Sequence, residues 1–159
     1  MEGRGHQPWV RRVVVGLFIV LIALALFNTF GQRSATSSAA GNGARLEVRG
    51  PTRVRGGLLF QQRITIHADR DIPYPRLVLG SGFFDGLQVN TIEPGPVSEV
   101  SRNGTVVLSY DKLAAGDKLE IWMQLQANPT HVGRTDLSVE LDDRSTPVAR
   151  IPRTLTTFP

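Results

Sequence analysis

The sequence predicts an all-β fold, two antiparallel sheets packed as a sandwich, preceded by one N-terminal transmembrane helix. Three observations carry this reading. Apolar residues recur with a period of two beyond position 44, turn residues separate those runs, and an uncharged apolar stretch extends from Val13 to Phe30.

Taken in order, the first element is that stretch. Its 18 residues carry no charge, and only Gly16, Asn28 and Thr29 dilute it. As a helix rising about 1.5 Å per residue it is roughly 27 Å long, close to a bilayer's hydrocarbon thickness. A secretory signal has a shorter apolar core of about 7 to 15 residues with a cleavage site close behind. Here Ser38-Ala39-Ala40 lies well downstream across a polar segment, which favours an uncleaved anchor. Arg4, Arg11 and Arg12 precede the run and only Arg33 follows closely. The positive-inside rule therefore places residues 1–12 in the cytoplasm and the C-terminal domain outside it, in the cell membrane's single-pass topology. Trp9 beside Arg11 and Arg12 suits a membrane-interface flank.

Residues 31–44, GQRSATSSAAGNGA, are small and polar with no periodic apolar face, and read as a flexible linker. Such a coil spans about 20 Å on average. The remainder, 45–159, is long enough for one ordinary domain. No cysteine is present, which excludes disulfides, thiolate metal sites and a cysteine nucleophile. From Gly31 onward there are 15 Arg plus Lys against 13 Asp plus Glu, so the domain lacks the strong basic face of a nucleic-acid binder. Arg33, Arg45, Arg49, Arg53 and Arg55 face only Glu47, a charge run that suits strand edges shielded against pairing.

Beyond Ala44 the alternation is clear in Thr105–Tyr110, Leu119–Gln126 and Asp136–Leu141. Successive strand side chains point to opposite faces, so this pattern reads as half-buried strands. Strands are expected near 45–49, 59–67, 76–79, 87–92, 97–101, 105–110, 118–126, 135–141 and 148–156. Between them lie Arg102-Asn103-Gly104, Asp142-Asp143-Arg144, Pro94-Gly95-Pro96 and Ala114-Ala115-Gly116-Asp117. Asn-Gly between alternating runs is a strong hairpin signal because both residues tolerate positive φ. Short strands at close spacing, with one-sided alternation, imply two antiparallel sheets face to face.

Leu113-Ala114-Ala115-Gly116-Asp117-Lys118-Leu119-Glu120-Ile121 resembles the E to F region of bacterial immunoglobulin-like modules of the CARDB and NPCBM-associated types. Asn128-Pro129-Thr130-His131-Val132-Gly133 and the strands after it are similar to their closing portion. The resemblance implies an immunoglobulin-like sandwich over about 45–157. It also implies an extracytoplasmic spacer, adhesion or subunit-contact role, without catalysis, cofactor or fixed functional residues.

Residues that could carry chemistry are few. His67 and His131 have no metal-ligand spacing. Gly80-Ser81-Gly82 lacks the nucleophile-elbow spacing, and Gly80, Gly82 and Gly86 do not form a phosphate loop. Asp69 and Asp71 at one strand end, with Asp142-Asp143 at a hairpin tip, offer oxygen ligands for calcium, though Asp is also a favoured turn residue. Trp122 shares a strand face with Glu120, Gln124 and Gln126, and a large aromatic on a polar face is a candidate partner anchor. Phe83 and Phe84, in the glycine-rich segment 80–86, are candidates for a second part of that surface, or one of them closes the core end. The expectation is thus a membrane-anchored interaction or assembly module, contacting the lipid bilayer and another membrane or envelope protein through Trp122, Gln124, Phe83 and Phe84. A sandwich that binds calcium or a glycan is the alternative.

Overall fold

The computed structural model describes residues 7–26, 34–102 and 104–159, and divides into two units, 1–32 and 33–159. The first contains α1 (Gln7–Leu26), whose apolar side chains from Val13 to Ile22 are largely exposed. This differs from the span expected over 13–30. The helix starts earlier and takes Arg11 and Arg12 into its first turns, while 27–30 lie outside the described residues. Among the described residues no helix is long and apolar enough to cross a membrane. Trp9, Arg11 and Arg12 are exposed on α1, whereas Arg4 and Arg33 lie outside the described residues.

Among the described residues the second unit holds thirteen strands: β1 (Ser34–Gly41), β2 (Ala44–Pro51), β3 (Arg53–Arg55), β4 (Leu59–Ala68), β5 (Pro75–Leu79), β6 (Leu87–Glu93), β7 (Ser98–Arg102), β8 (Thr105–Ser109), β9 (Lys118–Ala127), β10 (Gly133–Asp136), β11 (Val139–Asp143), β12 (Thr146–Ile151) and β13 (Thr154–Phe158). One five-stranded sheet has the order β1-β2-β4-β9-β6, the other β12-β11-β5-β8-β7, and β10-β13-β3 form a small third sheet. Both large sheets are antiparallel. The exception to that pairing is β13 with β3, which run parallel.

Alternation fixes which face is buried. On β4 the inward row is Phe60, Gln62, Ile64, Ile66 and Ala68, and on β9 it is Ile121, Met123, Leu125 and Ala127. Leu77 and Leu79 of β5, Leu108 of β8, and Val139 and Leu141 of β11 complete one continuous core with Leu46, Val48 and Leu155. A one-residue slip would turn each of these rows to solvent, so burial itself sets the register.

Three expectations need correction. Residues 34–41 are not part of a flexible linker: β1 pairs with β2 from Ser34↔Pro51 to Gly41↔Ala44. Asn42 and Gly43 make the turn, both with positive φ, the conformation that two-residue hairpins require. Gly41, before that turn, is needed for another reason: a Cβ there would collide with the Val148 carbonyl oxygen of β12. The strand expected over 135–141 is interrupted at Leu137-Ser138, where the Asp136 carboxylate accepts from the Ser138 N–H (2.9 Å) and Ser138 Oγ (3.0 Å). The strand expected over 148–156 breaks at Pro152-Arg153 and its second half changes sheet. Of the Asn103-Gly104 turn between β7 and β8, Asn103 lies outside the described residues.

Arg153, at that break, is buried. Its two terminal nitrogens donate to the carbonyls of Ala35 (both 3.2 Å), Val48 (3.3 Å), Gly50 and Pro51 (3.4 Å), and to Ser37 Oγ (3.3 Å). One guanidinium therefore clasps β1 and β2 together. Its Nε has no partner, and no carboxylate lies within 4.0 Å among the described residues. Burial lowers its pKa, so the clasp holds its charge against desolvation.

Candidate functional site

Trp122 projects from the middle of β9 on the outer face of its sheet. The register lines up Arg49 of β2, Arg63 of β4, Trp122 and Glu93 of β6 in one row. The Arg63 guanidinium lies over the indole, 5.1 Å from the ring centroid, and Nη1 reaches Glu120 Oε1 at 3.3 Å. Lys118 Nζ holds the other oxygen of Glu120 at 2.7 Å, and this contact lowers the Glu120 pKa. Trp122 is 38% exposed, and Gln124 beside it on the same face is exposed too. Trp122 is thus a half-covered aromatic in a polar, charge-laced sheet face.

The two phenylalanines separate. Phe83 ends a short 3-10 helix (Ser81–Phe83) and is fully buried, so it belongs to the core and is removed from the contact surface. Phe84 stays exposed in the following loop. That loop follows the β5 end, whereas Trp122 stands mid-strand in the other sheet.

The four aspartates do not assemble a cation site. Asp71 accepts from the Ala115 N–H at 3.0 Å and pairs with Lys112 at 2.8 Å, contacts that lower its pKa and raise that of Lys112. Asp143 Oδ1 accepts from the Tyr74 N–H at 3.2 Å. Asp142 Oδ1 is buried without a partner, and burial raises the Asp142 pKa. Among the described residues no group of three or more His, Asp or Glu could hold a metal ion. His131 Nε2 lies 3.3 Å from Thr135 Oγ1 and its ring packs at Gly86. His67 stays on β4 between Arg45 and Lys118.

What the sequence does not single out is a cavity of about 300 Å³ lined by Tyr74, Pro75, Arg76, Ser109, Tyr110 and Arg144. It gathers Tyr74 and the start of β5, the end of β8 with the residue after it, and the β11–β12 turn. Backbone contacts fix its frame: Tyr110 N–H to the Pro75 carbonyl (3.0 Å) and Arg144 N–H to the Tyr74 carbonyl (2.9 Å). Arg76 Nη1 donates to the Arg144 carbonyl at 2.8 Å. Arg144 adopts a positive φ, and its guanidinium stacks on Tyr74 at 4.3 Å from the ring centroid. The Tyr110 hydroxyl is buried with no partner, and burial, with Glu99 nearby, pushes its pKa up to about 12. The one sequence signal for this place is that both tyrosines of the chain line it.

Comparison with known proteins brings no family. No protein-family model matches the chain, and no curated protein matches it. The bacterial immunoglobulin-like resemblance therefore stands on its motifs alone. Among solved structures the chain is similar to the C-terminal domain of wzt, a β-sandwich, at 12% identity and a TM-score of 0.45, over 81% of each chain. It is also similar to part of a Vibrio harveyi GH20 exo-β-N-acetylglucosaminidase in complex with N-acetylglucosamine, at 13% identity and a TM-score of 0.38. That match spans 74% of this chain and only 18% of the glycosidase. Both likenesses concern the β-rich fold.

Proposed function

We propose that this protein is a membrane-anchored interaction module, an immunoglobulin-like sandwich that binds another envelope protein through the Trp122 face rather than catalysing a reaction. The observation that carries the reading is Trp122 itself, an indole left partly open in the centre of a polar sheet face and oriented by Arg63. Tryptophan and arginine are the residue types most enriched at binding hot spots. Anchoring is supported by the uncharged sequence run 13–30, most of which lies in α1, and by Arg11 and Arg12 ahead of it. The immunoglobulin-like assignment within the sandwich class is supported by the Leu113–Ile121 segment.

Two experiments test this. A photo-crosslinking amino acid in place of Gln124, in membranes of the native host, is expected to capture one membrane or envelope protein, and Trp122→Ala is expected to abolish the adduct. An adduct of equal yield with Trp122→Ala refutes the role of this face. For topology, Ser98→Cys introduces a single thiol into a cysteine-free chain. A membrane-impermeant maleimide added outside intact cells is expected to label it, and labelling only after lysis refutes the proposed orientation.

A second reading, a small-ligand site, is favoured by the Tyr74–Arg144 cavity.

A further inference from the structure

The cavity between Tyr74, Tyr110 and Arg144 combines features that restrict what it can hold. Its lining contains two arginines and no acidic residue. Neither guanidinium has a carboxylate within 4.0 Å among the described residues. The two arginines are nevertheless unequal. Arg76 spends one N–H on the Arg144 carbonyl, whereas the Arg144 guanidinium lies on the Tyr74 ring and donates no hydrogen bond among the described residues. Stacking uses the guanidinium's face and leaves its in-plane N–H fork free, the geometry that accepts a planar carboxylate through two parallel hydrogen bonds.

The surroundings set the ligand's charge. Asp142 and Asp143 are the register neighbours of Arg76 and Pro75, and Glu99 lies near Tyr110, so the two arginines are balanced and the cavity carries no positive surplus beyond the Arg144 fork itself. A single negative charge suits it better than a phosphate dianion. Pro75 and the two phenols supply apolar wall, and a volume of about 300 Å³ sits at the lower end for small-molecule sites.

We propose that this cavity binds a small ring-bearing carboxylate, with the carboxylate in the fork of Arg144 and the ring against Pro75 and Tyr110. The proposal rests on the small-ligand reading and is independent of the Trp122 face.

Both tyrosines of the chain line the cavity, so labelling with 3-fluorotyrosine places two ¹⁹F reporters there and none elsewhere. The full chain in detergent micelles is titrated with sodium glucuronate and sodium benzoate, and with their neutral counterparts glucose and benzamide. A saturable shift of a tyrosine resonance is expected with at least one carboxylate. Its neutral counterpart, and the same carboxylate against Arg144→Gln, are each expected to bind at least about tenfold more weakly, the loss of one charge-assisted hydrogen-bonded pair. Arg144→Lys, which keeps the charge and loses the fork, is expected to recover less than half of that loss on the free-energy scale. Arg144 is an exposed turn residue, so the variants fold, and an unchanged melting temperature verifies it. Equal binding of a neutral counterpart overturns the carboxylate assignment while leaving a small-ligand site in place. No shift with any of the four probes overturns both. Undiminished binding by Arg144→Gln overturns the assigned fork.

Discussion

Replacing Arg153 by methionine tests the clasp on the N-terminal hairpin. Methionine keeps an unbranched, apolar stem of similar length, so the change removes the guanidinium and little packing. Lost with it are the donors to the carbonyls of Ala35, Val48, Gly50 and Pro51 and to Ser37 Oγ. A hydrogen bond from a charged donor contributes roughly 1.5 to 3 kcal/mol, so two well-formed ones amount to about 3 to 6 kcal/mol. Against this stands relief of burying a cation that has no carboxylate partner, an offset of several kcal/mol at most. The expected net loss is about 3 kcal/mol, which lowers Tm by about 10 °C in a domain of this size. The loss is local in origin, so amide exchange is the sharper assay. Amides of β1 are expected to lose about a hundredfold protection, the equivalent of 3 kcal/mol, while the central strand β9 retains its protection relative to global unfolding. Arg153→Lys, which cannot reach both strands, is expected to behave nearly as badly. A buried cation is sometimes replaced by an apolar side chain with a gain in stability. An unchanged or raised Tm with β1 still protected would therefore refute the clasp.

Three further outcomes follow from the packing. Tyr110→Phe removes a buried hydroxyl without a partner and is expected to raise stability by about 1 kcal/mol in chemical denaturation. In the parent chain, Tyr110 holds its proton up to about pH 12 when folded against about 10 when unfolded. Its contribution is complete below pH 10 and is lost as pH rises through 12, up to about 2.7 kcal/mol; melts across that window are expected to flatten in Tyr110→Phe. Gly41→Ala pushes a methyl group onto the Val148 carbonyl oxygen and is expected to cost about 2 to 3 kcal/mol by forcing β1 from β12, read as a lowered denaturation midpoint. Gln62→Met replaces a fully buried amide whose oxygen and nitrogen both lack partners, and a rise of about 1 kcal/mol is expected in the same assay.

Much of the sandwich is legible where side chains differ strongly in polarity from one position to the next. β4, β8 and β9 announce themselves this way, because Ile-Thr-Ile or Leu-Glu-Ile-Trp-Met has two unlike faces. β1 is silent to that test. Its residues, Ser-Ala-Thr-Ser-Ser-Ala-Ala-Gly, are small throughout and alternate only between half-buried and exposed. The signal that was present is Asn42-Gly43, the same turn chemistry that marks Asn103-Gly104. Its force is lost when the flanking residues are read as linker by composition. The breaks at Leu137-Ser138 and Pro152-Arg153 depend on an Asp136 side chain turning back on the chain and on a strand changing sheets, neither of which hydropathy records.

The candidate sites follow the same division. The Trp122 face is legible because Glu120, Trp122, Gln124 and Gln126 alternate along one strand, but the Arg63 cover comes from the register of β4 against β9. Phe83 and Phe84 are identical in sequence terms, and only the 3-10 turn decides which enters the core. The cavity draws on three separate segments, 74–76, 109–110 and 144, so no spacing rule links them.

Arg153 and Ala35 are 118 positions apart, and β3 near the start of the domain runs beside β13. During synthesis, at about 5 to 20 residues per second, the hairpin of β1 and β2 therefore waits on the order of ten seconds for its clasp. For that interval β1 is held by one turn and its ladder to β2, which β4 joins early from the other side, with β12 and the closing arginine still unmade. An outermost strand held by one ladder is open to mispairing, so β1 is exposed while the chain emerges, and closure of the N-terminal edge is a late event governed by how soon residue 153 arrives.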